Sequence, residues 1–166
     1  MEKKNVTYDD FILNVNPEYH EFVARTRELL FKRGCVEKID QAKNGQLVSY
    51  SDKNKRVILN FVFRKSGLIT RIYGDFVNQY PDFMETLPDG MTKAIEKAPV
   101  CKRLIDITKC NPRCRMGYDF NLKSARQQKC RYSCFMFPVN HEDIPFIEAF
   151  IASELNAREA VHDKSL

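Results

Sequence analysis

Five of the six cysteines fall between Cys101 and Cys134, in two CxxxC pairs and one outlier, and their first chemical reading is a metal site. The pairs are Cys110-Asn-Pro-Arg-Cys114 and Cys130-Arg-Tyr-Ser-Cys134, with Cys101 preceding both. Structural zinc takes four thiolate or imidazole ligands in a tetrahedron and spaces paired ligands two to four residues apart, so CxxxC fits. Asn-Pro favours a turn, which brings the sulfurs of Cys110 and Cys114 together. The second pair alternates as a strand would, which places Cys130 and Cys134 about 13 Å apart on one face. A hairpin then sets Cys134 beside Cys114. The expected zinc quartet is Cys101, Cys110, Cys114 and Cys134, with Cys130 in reserve. Two rivals stand beside it: ordinary core filling, and a redox thiol pair at Cys110/Cys114, whose thiolates the neighbouring cations would stabilise.

The same stretch is basic. The net charge of +5 divides unevenly: residues 101–139 carry nine Lys and Arg against two Asp and Glu, and residues 140–166 carry two against six. Lys102, Arg103, Lys109, Arg113, Arg115 and Arg131 would offset the −2 charge of four thiolates on Zn²⁺. They would also meet an anionic ligand or partner. The candidate anion-binding set is Arg64, Arg71, Tyr73, Arg103, Arg113, Arg115 and Arg131. A stripe of Arg56, Asn60, Arg64, Arg71 and Tyr73 on a sheet face reads alternatively as a nucleic-acid track, thin in aromatic residues for stacking.

Enzyme signatures are absent. There is no GxGxxG, GxxxxGK[ST], HExxH or GxSxG, and none of His20, His141 and His162 has a nucleophile at a diagnostic spacing. With no apolar run of membrane-spanning length and no signal peptide after Met1, the expectation is a cytoplasmic binding or accessory domain with no membrane partner.

The elements that must position these residues follow from periodicity. Asn16 and Pro17 open a helix whose face is Tyr19, Phe22, Val23, Thr26, Leu29 and Leu30, closed at Gly34. Asn44-Gly45 joins strands at about 36–43 and 46–52. Residues 56–65 alternate strongly, and Ser66-Gly67 turns them into a strand at 68–74, setting Phe63 opposite Thr70 and Arg64 opposite Ile69. Short helices follow at 80–87 and after Asp89. Strands are predicted at about 117–122 and 128–137, and a last helix at 142–158 with Ile144, Ile147, Phe150, Ile151 and Leu155 inward. The predicted fold is α+β: a four-strand antiparallel meander and a later hairpin, with helices on one face. Residues 1–158 form one domain and 159–166 a frayed tail.

Overall fold

The computed structural model describes the backbone of residues 5–164 and the side chains of residues 5–161; the last two residues of the tail, and the side chain of His162, lie outside the described residues. Helix α1 (Tyr8–Ile12) has no strong periodicity, yet Thr7 starts it with a capping box, its hydroxyl accepting from the Asp10 N–H while Asp10 takes the Thr7 N–H at 2.9 Å. Asn16 caps a 3₁₀ turn, Pro17–Tyr19, that feeds α2 (His20–Lys32), and Gly34 follows with a left-handed φ of +79°.

Strands β1 (Val36–Ala42), β2 (Gly45–Ser51), β3 (Val57–Arg64) and β4 (Gly67–Ile72) form the expected antiparallel meander. Leu59, Phe61, Leu68, Thr70 and Ile72 share the face toward the helices. The Phe61 ring lies 5.8 Å from Phe11 of α1 and 6.2 Å from Phe22 of α2. The β3–β4 pairing differs from the expected one by two residues: Phe61 faces Thr70 and Phe63 faces Leu68, because the loop is Lys65–Ser66. A shift of two keeps every side chain on its face.

Helices α3 (Pro81–Met84), α4 (Asp89–Lys97) and α5 (Lys102–Ile105) lead to the hairpin of β5 (Tyr118–Leu122) and β6 (Ala125–Lys129). This hairpin is a separate two-stranded sheet. The predicted strand at 128–137 is broken: Cys134 N–H donates to Cys130 O at 2.9 Å across one helical turn, and β7 (Met136–Pro138) then joins β4 as the fifth strand of the main sheet, whose order is β1-β2-β3-β4-β7. The last helix, α6 (Ile144–Lys164), runs past residue 158. Its Phe150 ring sits 5.0 Å from Phe135, closing the core. The architecture is α+β, and among the described residues no helix is long and apolar enough to cross a membrane.

Candidate functional site

The cysteines do not build a zinc centre. Cys101, Cys110, Cys114 and Cys130 line one cavity of about 390 Å³, and Cys134, the fourth member of the expected quartet, is not among its lining residues. Among the described residues no group of three or more His, Cys, Asp and Glu is arranged to hold a metal ion. Each sulfur has a separate reason. Cys134 is fully buried in the hydrophobic core beside Phe135, where burial pushes its thiol well above the usual range, so it stays neutral. Cys101 is buried, its Sγ accepting the Gly117 N–H at 3.2 Å. Cys110 is exposed and Cys114 partly so, on a turn closed by the Asn111 carbonyl. The break after β6 is what separates the second pair: it turns Cys130 toward the cavity and Cys134 away from it.

The seven candidate anion ligands do not share one surface either. Tyr73 is 7% exposed and donates its hydroxyl to Asn60 Oδ1 at 2.7 Å; Arg71 is spent on Tyr132 O and Asn60 Oδ1. The sheet-face track for nucleic acid is therefore a closed polar network with its aromatic residue inside. Arg64 stands apart, exposed at the end of β3. Arg103 and Arg113 line the thiol cavity, Arg103 donating to the Cys114 carbonyl. Arg131 also lines the thiol cavity with Arg103 and Arg113, and Arg115 and Arg131 come together in a groove with Arg56.

These three arginines wall a groove in two adjoining parts that share Arg56 and Arg115. One part, about 250 Å³, is completed by Asp75, Gly117, Tyr118 and Arg131. The other, about 510 Å³, adds Asp52, Asn54, Phe76, Arg158 and Val161. Local chemistry places each wall. Asp52 Oδ1 accepts the N–H groups of Asn54 and Arg56, at 2.8 and 3.0 Å, curling the 52–56 loop so that Arg56 stands at the rim. Met116 at φ +70° and Gly117 bring the chain against β6, where a Cβ on Gly117 would lie 2.0 Å from the Lys129 carbonyl oxygen. Arg115, just before this close approach, lines both parts of the groove together with Arg56.

The arginines of the floor are already paired with carboxylates. Arg131 donates to Asp75 Oδ1 at 2.8 Å and to Met116 O at 3.2 Å. Arg158 donates to Asp52 Oδ2 at 3.0 Å, to Glu154 Oε1 at 2.8 Å, and to the carbonyls of Arg56, Val57 and Tyr73. Glu154, fully enclosed, also accepts from Tyr80 and from the Phe76 N–H. The rim is different: the guanidinium groups of Arg56 and Arg115 have no carboxylate partner among the described residues. Tyr118 is the third uncommitted group. It is 5% exposed, and its enclosed hydroxyl has no hydrogen-bond partner among the described residues. Burial, opposed by Arg131, holds its pKa well above the ordinary tyrosine value, so it remains a proton donor.

A third cavity, about 490 Å³ between the end of α2 and α6, has Arg33 on its wall committed to Glu159 at 2.6 Å and to Asn156. Sequence reasoning missed Asp52, Asp75, Tyr118, Glu154 and Arg158. The signal for the last two was present: Glu154 and Arg158 continue the inward spacing of Ile147, Phe150 and Ile151 with charged residues. Comparison of the chain with protein-family models, with curated proteins and with solved structures gives no match.

Proposed function

We propose that the protein is a binding module for a small dianionic oxyanion, a phosphoryl group, held between Arg56 and Arg115 at the mouth of this groove. The observation that carries it is the pair of guanidinium groups with no carboxylate partner among the described residues, above a floor whose own arginines are paired. Two guanidinium groups with no carboxylate partner among the described residues suit an oxyanion, and planar guanidinium forks suit phosphate oxygens. Tyr118 lines the same end of the groove, and its enclosed phenol has no hydrogen-bond partner among the described residues. A hydroxyl kept enclosed without a partner costs stability, and a bound oxygen acceptor relieves that cost.

Calorimetric titration with inorganic phosphate at low salt tests this. One phosphate per chain is expected, with weakening as ionic strength rises. Arg56→Gln and Arg115→Gln should each lower affinity about tenfold or more, while leaving stability unchanged, because neither side chain makes a charged contact among the described residues. Tyr118→Phe should weaken phosphate binding and leave the free protein as stable or slightly more so. Phosphate binding that is absent, or unaltered in the double arginine variant, would overturn the proposal.

A further inference from the structure

We infer that the phosphoryl group recognised here belongs to a phosphate monoester carrying a flat unsaturated ring, with the ring lying in the larger half of the groove against Phe76. This rests on the anion reading above and extends it to the rest of the ligand. The groove does not end at the arginines. Beyond Arg56 and Arg115 it opens into a volume about twice that of the anion end, 510 against 250 Å³, which inorganic phosphate alone would leave unfilled. Phe76 and Val161 supply the apolar wall of that half. Phe76 is half-buried, and Val161 is 37% exposed although apolar. The Phe76 backbone is fixed, its N–H donating to both carboxylate oxygens of Glu154 at 3.2 and 3.3 Å, so the ring is presented from a rigid anchor. Asn54 stands on the opposite wall, and its side-chain amide makes no hydrogen bond within the protein among the described residues. An aromatic residue, an open amide and two guanidinium groups around one groove match a ligand with a charged end and a planar end. Asp52, also on this wall, is occupied by Arg158 and by its own loop, so it does not repel the ester from an unpaired state.

The test compares three ligands by calorimetry on the full chain: inorganic phosphate, methyl phosphate and phenyl phosphate. Phenyl phosphate should bind about five- to tenfold more tightly than methyl phosphate, the increment of one aromatic contact. Phe76→Leu, which keeps the apolar volume but not the ring, should erase that difference while inorganic phosphate binds as before. Equal affinities for phenyl and methyl phosphate, or a phenyl preference that survives in Phe76→Leu, overturn this inference and leave phosphate binding standing. Failure of all three ligands to bind overturns the underlying reading as well. Circular dichroism of Phe76→Leu, matching the unsubstituted chain, separates loss of recognition from loss of fold.

Discussion

Glu154 shows how a single side chain ties the fold together. It is fully enclosed and holds Arg158, Tyr80 and the Phe76 N–H at once. Removing one member of a buried pair leaves the other charge uncompensated, so Glu154→Ala should cost about 3–5 kcal/mol in urea unfolding. Glu154→Gln retains acceptors for Tyr80 and Phe76 and should cost less. The pH dependence follows from the direction of its pKa. Burial raises the carboxyl above the ordinary 4.5, against the pull of Arg158. A carboxyl that binds its proton more tightly when folded stabilises below its unfolded pKa and loses that contribution as pH rises through the folded value. The stability difference between the unsubstituted chain and Glu154→Gln should therefore shrink as pH rises from about 4; a difference that widens would mean that Arg158 outweighs burial. Periodicity marked which side chains of α6 point inward. It did not show that inward Glu154 and Arg158 find partners such as Asp52, 106 positions away from Arg158, because pairing at that range is decided by topology.

The elements were more legible than their joints. Alternation at 56–65 and the apolar stripes of α2 and α6 each identify an element, since a strand or helix buries one face of its own sequence. Turns are less readable. Asn44-Gly45 signalled the first hairpin, but the loop is Lys43–Asn44, with Gly45 at φ +84° beginning β2. The stretch 128–137 alternates evenly, yet the chain must leave the β5–β6 hairpin and reach β4, which requires the turn at Cys130–Cys134; the zinc expectation failed at that joint. The β5–β6 turn offers a test of its own. Lys123 and Ser124 both occupy left-handed backbone, at φ +49° and +64°, where residues with a Cβ are strained. Ser124→Gly should raise stability by about 1 kcal/mol, read as a higher thermal midpoint. No gain, or a loss, would mean that the hydroxymethyl group makes up for the strain.

Over the whole molecule, the cysteines report how cooperatively it opens. Cys35 and Cys134 are buried, and burial pushes the Cys35 thiol up to about 11 and that of Cys134 well above its usual value, whereas Cys110 is exposed. Under native conditions near neutral pH, iodoacetamide should modify Cys110 first. Cys35 and Cys134 should react only at the rate of global unfolding, and together, since both belong to the one core cluster. Mass spectrometry of a labelling time course reads this directly, and early modification of Cys134 would show that the core opens locally. The charge excess of 101–139 was plain in the sequence, but the fold commits Lys123 to Glu85, Arg126 to Asp119 and Lys129 to backbone carbonyls, and spreads other cations over the thiol cavity and the arginine groove, which share Arg131; composition carries no information about that distribution. The reach of Arg158 has one more consequence. Its guanidinium bonds to groups 85 to 106 positions earlier in the chain. At ordinary elongation speeds a ribosome delivers the meander about 5–20 s before that arginine. Until then the nascent chain holds the Asp52 and Asp75 carboxylates with no guanidinium from the last helix between them, so the floor of this groove closes only after α6 has been made and has emerged.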